Sequence, residues 1–86
     1  MKYIIDQNYE STVNRGLINK KTSMVNFIDK IYEEVSEFEE AVDTGTIKDI
    51  KEELSDIILV CLNTAKHYGF DIEQELINKI NKNKNR

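Results

Sequence analysis

Four acidic residues of the sequence are spaced in a way that could assemble a metal site. Glu34 and Glu37 form an E-x-x-E pair before Gly45, and Glu53 and Asp56 form an E-x-x-D pair after it. The inner members of the two pairs each lie eight residues from Gly45, and the outer members each lie eleven residues from it. In an antiparallel helical hairpin that turns at Gly45, equal distance means equal height, since a helix rises about 1.5 Å per residue. The spacing therefore predicts four carboxylates converging at one level, with each pair on one side of its helix.

Converging carboxylates are unfavourable unless a cation neutralises them, because buried like charges oppose one another's ionisation. A hard divalent ion fits this role. Mg²⁺ prefers carboxylate oxygens, keeps several waters and is often completed by the phosphates of a substrate, and Mn²⁺ is the alternative ion with similar ligand preferences. The simpler interpretation is a solvated acidic helix face. That interpretation suits the remaining glutamates of this region, namely Glu33, Glu39, Glu40 and Glu52.

Two features of the sequence indicate that Asp56 and Glu34 are covered by neighbouring helices. The segment "LSDIILVCL" around Asp56 is apolar nearly all round, which predicts a helix covered on several sides. At about 100° per residue, Glu34 falls beside Ile31 and Ala41 on the flank of its helix's apolar stripe, not opposite it. An acidic residue at either position is therefore not expected to be simply solvated.

The hydrophobic spacing predicts four helices. Residues 24–43 and 47–68 carry apolar side chains at intervals of three and four, with Ser23 and Thr46 as N-caps. A weaker pattern predicts a first helix within residues 6–20, and a final helix begins after Asp71, whose spacing to Gln74 resembles a capping box. Glycines end the two long helices: Gly45 is expected to form a left-handed C-cap, and Gly69 ends the second of them. The sequence thus predicts an all-α fold, an antiparallel bundle of about four helices in a single domain, residues 1–86.

Composition restricts the function classes. The formal net charge of −4 argues against nucleic acid as the main partner, since phosphate binding needs a basic face. The single cysteine, Cys61, is expected in the core and excludes an internal disulfide, which favours a reducing cytoplasmic location. The longest apolar run, residues 57–62, is too short to cross a membrane. We expect three neighbouring helices in one small subunit to leave the 47–68 helix partly uncovered, and therefore we expect a homodimer or homotetramer.

Three segments of the sequence together resemble one family. They are "KIYEEVSEFEEA", "EELSDIILVCLNTAKHYGFD" and "KINKNKNR". They resemble the MazG-like nucleotide pyrophosphohydrolases of the all-alpha NTP pyrophosphatase superfamily, which also contains dimeric dUTPases and phosphoribosyl-ATP pyrophosphohydrolases. That family's motif is E-x-x-E, a variable spacer, then E-x-x-D. The resemblance covers residues 22–86.

The resemblance implies a catalytic function. It implies hydrolysis of a nucleoside triphosphate between the α and β phosphates, to a monophosphate and pyrophosphate, with magnesium held by Glu34, Glu37, Glu53 and Asp56. The family's K-I-x-x-N-x-x-R pattern matches Lys79, Ile80, Asn83 and Arg86, of which Lys79, Asn83 and Arg86 would contact the nucleotide. Nothing in the sequence selects a base or a sugar. The alternatives are a non-catalytic helical protein-binding module and a nucleotide sensor.

Several residues keep two interpretations at this point. The last helix ends in a basic tail that consists of Lys79, Lys82, Lys84 and Arg86. This basic tail either contacts phosphate or only complements the dipole of the last helix. Arg15, with Gly16 and Thr22, either borders the nucleotide or only shapes a turn. His67 is expected to be a helix residue, not a ligand. The aromatic residues that stack on the base in the family have only loose candidates here, namely Tyr3, Tyr9 and Phe27.

Overall fold

The computed structural model describes residues 1–86 and contains four α-helices and no strand. The helices are α1 (Lys2–Asn14), α2 (Met24–Thr44), α3 (Ile47–His67) and α4 (Ile72–Lys84). This confirms the all-α prediction, and the bounds of α2 and α3 agree with the predicted ranges to within one residue. None of the four helices combines the length and the apolar composition that a bilayer span requires.

The two long helices begin at the predicted caps. The Ser23 side chain accepts a hydrogen bond from the backbone N–H of Asn26, and the Thr46 side chain accepts one from the backbone N–H of Asp49. In both cases the residue at the third position bonds back to the N–H of the capping residue, which completes a capping box. At α4 only half of this pattern forms, because Asp71 caps Gln74 while the Gln74 side chain bonds Asn78 instead.

Gly45 departs from its predicted conformation. Its φ of −96° and ψ of −178° are extended, so the left-handed C-cap expected there is wrong. The next residue, Thr46, is already the N-cap of α3 and has an extended backbone. No residue therefore remains between the two helices for a left-handed turn. Glycine is still needed, because a Cβ atom at this position would lie 2.7 Å from the carbonyl oxygen of Ala41. A side chain at this position would collide with the last turn of α2.

The first helix lies closer to the N-terminus than predicted. It spans Lys2–Asn14 instead of lying within residues 6–20, and Gly16 follows it with a φ of +77°. This left-handed conformation stops the helix, so the apolar spacing that continues through Leu17 and Ile18 belongs to a loop. Ile18 nevertheless packs into the core, where it is buried. Apolar spacing alone does not distinguish such a loop residue from one more helical turn.

Helix α3 is the centre of the bundle. Each of the other three helices packs on α3, and α1, α2 and α4 do not pack closely on one another. The two-residue turn at Gly45 and Thr46 makes α2 and α3 antiparallel neighbours along their full length. Helix α1 crosses the second half of α3, where Asp6 pairs with Lys66 and Tyr9 bonds His67. A groove remains between α1 and α2 above α3.

The buried core is small. It includes only part of the apolar residues of α2 and α3. Its apolar members are Ile18, Phe27, Ala41, Leu62 and Ala65. An outer stripe of apolar residues on the same two helices remains exposed, consisting of Val25, Ile28, Tyr32 and Val42 on α2 and Ile47, Leu54, Ile58 and Cys61 on α3. The prediction that Cys61 lies in the core is therefore wrong for the single chain. The reason is that the helices packed on α3 leave the side of α3 that carries Leu54, Ile58 and Cys61 uncovered.

Candidate metal centre

Glu34 lies in the interface between the two long helices. It follows Phe27 by seven residues and precedes Ala41 by seven, so all three lie on one line of α2, and all three are buried. Glu34 is only 6% exposed. Sequence spacing placed it on the flank of the apolar stripe, and the structure turns α2 further so that Glu34 faces α3. A carboxylate in such a position requires a partner.

Helix α3 brings its own acidic residues to Glu34. Carboxylate oxygens of Glu34, Glu53 and Asp56 lie within 4.8 Å of one another, and the same holds for Glu33, Glu34 and Glu37. Glu34 is thus common to two groups of three. We call these five residues the acidic cluster. The equal spacing from Gly45 accounts for the meeting of the two helices' acids, whereas Glu33, which the sequence assigned to a solvated face, joins through its neighbour Glu34.

The acidic cluster contains unsatisfied buried oxygens. Glu34 Oε2 and Glu53 Oε2 are both buried and have no hydrogen-bond partner. An unpaired buried polar atom costs about 1–3 kcal/mol, and more when it is charged. The donors here are carboxylate oxygens only, without histidine or thiol, which is the set that hard cations such as Mg²⁺ and Mn²⁺ prefer. These residues therefore fit a divalent ion of that kind.

One lysine lies against the acidic cluster. Lys30 Nζ is 3.2 Å from Glu33 Oε1 and 3.2 Å from Glu34 Oε1. Burial lowers the pKa of Lys30, but hydrogen bonds to Glu34 and then Glu33 outweigh this and hold the pKa above its ordinary value. A single ammonium group cannot neutralise five carboxylates. The signal for Lys30 in the sequence is its position four residues before Glu34, which is the spacing of a helical ion pair.

The pKa of Glu37 is raised by repulsion within the acidic cluster. Its contact with the Glu34 carboxylate raises the pKa of Glu37, and the charges of Glu34, Glu53 and Glu33 raise it further, together with a small desolvation. A carboxyl group with a raised pKa in the folded state is favoured in its protonated form. The stability that it contributes is present below its unfolded pKa and is lost as the pH rises through its folded pKa.

This linkage predicts the effect of Glu37→Gln, which mimics the protonated side chain. In EDTA at neutral pH, the variant should melt at a higher temperature than the wild type, because the repulsion from Glu34 is gone. The difference should shrink as the pH falls through the raised pKa of Glu37. Thermal melts across a pH series measure this, with Glu39→Gln, outside the acidic cluster, as the control. An equal or lower melting temperature for Glu37→Gln at neutral pH would contradict the prediction.

A groove of about 430 Å³ opens beside the acidic cluster. Its volume lies in the range typical of small-molecule sites. The floor comes from α3, one wall from α1 and the following loop, and the other wall from α2. Glu34 and Asp56 belong to its lining, as do two cations, Arg15 and Lys30. Thr22 and Phe27, two residues with an open interpretation from sequence, also line it, whereas Gly16 does not.

A buried polar network forms the part of the groove that sequence reasoning missed. Asn63 of α3 is 6% exposed. Its Oδ1 accepts a hydrogen bond of 2.8 Å from Asn8 Nδ2, and its Nδ2 donates one of 3.1 Å to Thr12 Oγ1. Asn8 also donates to the carbonyl oxygen of Leu59. The only sequence signal was a polar residue inside the apolar run of α3.

His67 has a structural role. Its Nε2 lies 3.0 Å from the carbonyl oxygen of Thr22, and its Nδ1 lies 2.8 Å from the Tyr9 hydroxyl. Since a carbonyl oxygen only accepts, Nε2 carries a proton, and in the neutral ring Tyr9 donates to Nδ1. Both ring nitrogens are thereby used, and His67 is the last residue of α3, as expected for a helix residue. A more open depression of about 710 Å³ lies beside Tyr9 and His67, and no acidic residue lines it.

The basic tail lies apart from the groove. Lys79, Asn83 and Arg86 are all exposed, and α4 packs only on α3. None of these three residues lines the groove next to the acidic cluster. Their contact with a nucleotide therefore stays a prediction.

A family model that covers most of the chain decides the family. A family model described as the MazG nucleotide pyrophosphohydrolase domain matches residues 22–86, which include all five residues of the acidic cluster. The chain belongs to the MazG family. Membership indicates a nucleotide pyrophosphohydrolase, a hydrolase of a family that typically depends on divalent metal. Neither the curated proteins nor the solved structures contain a match to the chain.

The MazG match begins after α1. Residues 22–86 contain α2, α3 and α4, whereas Asn8, Thr12 and Arg15 lie before the matched region. The acidic cluster thus lies within the family domain, and one wall of the groove comes from residues outside the match.

Proposed function

We propose that the protein is a magnesium-dependent nucleoside triphosphate pyrophosphohydrolase. It cleaves a (d)NTP between the α and β phosphates and releases NMP and pyrophosphate. The observation that carries the proposal is the pair of buried, unpartnered oxygens, Glu34 Oε2 and Glu53 Oε2, next to a groove that also contains cations. This arrangement suits a polyphosphate that arrives with a divalent ion.

The proposed metal ligands are Glu34, Glu37, Glu53 and Asp56, with Mg²⁺ as the ion and Mn²⁺ as a substitute. A bound ion of this kind neutralises phosphate oxygens and lowers the pKa of a bound water. The protein's own part is to position the reactants. The groove directs the α phosphate toward the carboxylates, and Arg15 and Lys30 offset the charge of the phosphates. In the overall reaction, the oxygen of a water forms a bond to the α phosphorus, the bond from this phosphorus to the bridging oxygen breaks, pyrophosphate leaves with that oxygen, and the water proton passes to solvent.

Nucleotide contacts beyond the groove are proposed for Lys79, Asn83 and Arg86, which match the family pattern near the chain end. Their side chains are solvated and free to rearrange. The partner is a free nucleotide and not a nucleic acid, in keeping with the net charge of −4. The cytoplasm, which supplies nucleoside triphosphates and a reducing environment for Cys61, is the proposed location.

A homo-oligomer, either a dimer or a tetramer, is also part of the proposal. The single chain exposes 6624 Å², whereas a folded protein of 10.1 kDa is expected to expose about 5,300 Å². The excess is larger than the area of about 800 Å² that each chain contributes to a standard interface. The outer stripe of α2 and α3 is apolar and runs the length of both helices. A second copy of the chain covers it most simply by symmetry.

A substrate panel tests the activity. Purified protein with Mg²⁺ should release pyrophosphate, and not inorganic phosphate, from at least one of a set of canonical and damaged (d)NTPs. EDTA should abolish the release. Binding of nucleotide, detected as a rise in melting temperature, without any turnover would replace the enzyme proposal by the nucleotide-sensing alternative. No response to Mg²⁺ or nucleotide in either assay would leave only a protein-binding module.

A further inference from the structure

Lys30 stands between the acidic cluster and the groove. Its ammonium group contacts Glu33 and Glu34 at 3.2 Å each, while Lys30 itself belongs to the lining of the groove. Its side chain is 46% exposed, whereas that of Glu34 is 8% exposed. The mobile partner of this ion pair is therefore the lysine, which can leave, and the fixed partner is the glutamate, which cannot.

The ion pair uses an oxygen that a metal would need. Lys30 contacts Glu34 Oε1, and the other oxygen of the same carboxylate, Oε2, is buried without a partner. A divalent ion that also bonds Glu53 and Asp56 must approach the Glu34 carboxylate from the side of α3. Two cations on one carboxylate repel each other in this partly desolvated place. The ammonium and the metal thus compete for the charge of Glu34.

We propose that Lys30 is a built-in counter-cation that occupies the metal-free site, is displaced when a divalent ion binds, and then offers its ammonium group to the phosphates in the groove. This proposal rests on the proposed function, since it assumes a metal at Glu34. Lys30 is a positioning residue in this scheme. In the metal-free state it keeps a buried carboxylate from standing unpaired, and in the loaded state it supplies a positive charge to the substrate.

The side chain is suited to such a movement. Lysine carries a compact charge on a flexible four-carbon stem with three rotatable donors, so its ammonium group can change partners while its backbone stays in place. Arg15 lies across the same groove on the loop after α1 and provides a second positive charge. A phosphate chain that enters between α1 and α2 would then meet a cation from each wall, beside the metal.

Mn²⁺ binding to the Lys30→Met variant tests the competition. Titration followed by electron paramagnetic resonance should show about three- to tenfold tighter binding of Mn²⁺ to the variant than to the wild type, because no ammonium group has to be displaced. Lys30→Arg keeps the charge and should stay close to the wild type. Lys48→Met is the matched control, since Lys48 pairs with Glu52 on an exposed face of α3 outside the acidic cluster. It should leave the affinity unchanged.

The direction in which Lys30→Met changes the Mn²⁺ affinity tests the proposal. Weaker or unchanged Mn²⁺ binding in Lys30→Met would overturn the proposal, because it would mean that the lysine supports the metal ligands or does not touch them. A wild type that binds no Mn²⁺ would overturn the proposed function itself, together with this proposal. The two failures are therefore distinguishable.

A second experiment uses the wild-type sequence and does not depend on the folding of a variant. After reductive ¹³C-methylation of the lysines, which preserves their charge, the resonance of Lys30 should move toward those of the solvated lysines when Mg²⁺ is added. The resonance of Lys48 should not move. A third experiment returns to the Lys30→Met variant. With Mg²⁺ present, this variant should bind inorganic pyrophosphate about three- to tenfold more weakly than the wild type, opposite in sign to its effect on Mn²⁺. An unmoved Lys30 resonance, or unchanged pyrophosphate affinity, would contradict the proposal.

Discussion

Glu53→Gln and Asp56→Asn should each lower the rate of pyrophosphate release by at least about a hundredfold. Each change removes a proposed anionic ligand from the group in which Glu34, Glu53 and Asp56 approach within 4.8 Å. Electrostatic groups placed against a developing charge typically contribute a factor of about 10²–10³ to the rate, and a lost metal would cost more. Steady-state rates with saturating Mg²⁺ and the best substrate of the panel measure the effect.

A structural control accompanies this loss of activity. In EDTA, neither variant should melt at a lower temperature than the wild type, because each removes one charge from a repelling group and leaves the side-chain size unchanged. Activity would then fall without a fall in metal-free stability. Glu52→Gln is the matched variant, since Glu52 neighbours Glu53 but pairs with Lys48 in solvent. Full activity of Glu53→Gln or Asp56→Asn would show that the site assignment is wrong.

Ile58→Asp should dissociate the proposed oligomer into single chains. Ile58 lies in the middle of the outer stripe of α3 and is about half exposed in the single chain. In a homo-oligomer that covers the stripe, the new carboxylate would be buried without a partner and would face its symmetry copy. Breaking an interface by an unpaired buried charge typically costs several kcal/mol per site. Light scattering at micromolar concentration should therefore report a mass near that of one 10.1 kDa chain.

Two variants separate this effect from a general disturbance. Ile58→Leu keeps the stripe apolar and should remain assembled. Ser55→Asp introduces the same charge on the same helix at an exposed position about 90° away from the stripe, and it should also remain assembled. A wild type that scatters as a single chain, or an Ile58→Asp variant that assembles like the wild type, would refute the proposed interface.

The substitutions of Asp56 and Ile58 act on opposite faces of one helix. At about 100° per residue, Asp56 lies roughly 180° from the centre of the outer stripe on α3. The substitutions in the stripe therefore do not touch the carboxylates directly. Any loss of turnover in Ile58→Asp would measure how far the metal centre depends on assembly.

The sequence by itself determined the helices and the meeting of the acids. Apolar residues at intervals of three and four, with a capping residue before each long helix, specify α2 and α3 because these are short-range preferences. Once the turn at Gly45 is tight, the rise per residue brings Glu34 and Asp56 to the same height. The same two acid pairs, E-x-x-E and E-x-x-D, carry the resemblance to the MazG family. All of this depends on distances along a single hairpin, which a sequence states directly.

Other features were decided only by packing. The apolar faces of α2 and α3 are broader than one neighbouring helix can cover, and periodicity does not say which half will be covered. In the structure, α1 and α2 take one half, which buries Glu34 and leaves Cys61 exposed. The helical pattern through Ile18 was also misleading, because a residue can pack into a core from a loop after a left-handed glycine.

The groove belongs entirely to the tertiary structure. Asn8 and Asn63 are 55 residues apart in sequence, yet they share a hydrogen bond of 2.8 Å because α1 crosses the second half of α3. The position of Lys30 between the carboxylates and the groove also depends on the packing of α1. The spacing along one helix fixes its pair with Glu34, but only the arrival of α1 creates the wall opposite. Contacts between distant segments depend on how helices cross, and helix crossing has no local signature in the sequence.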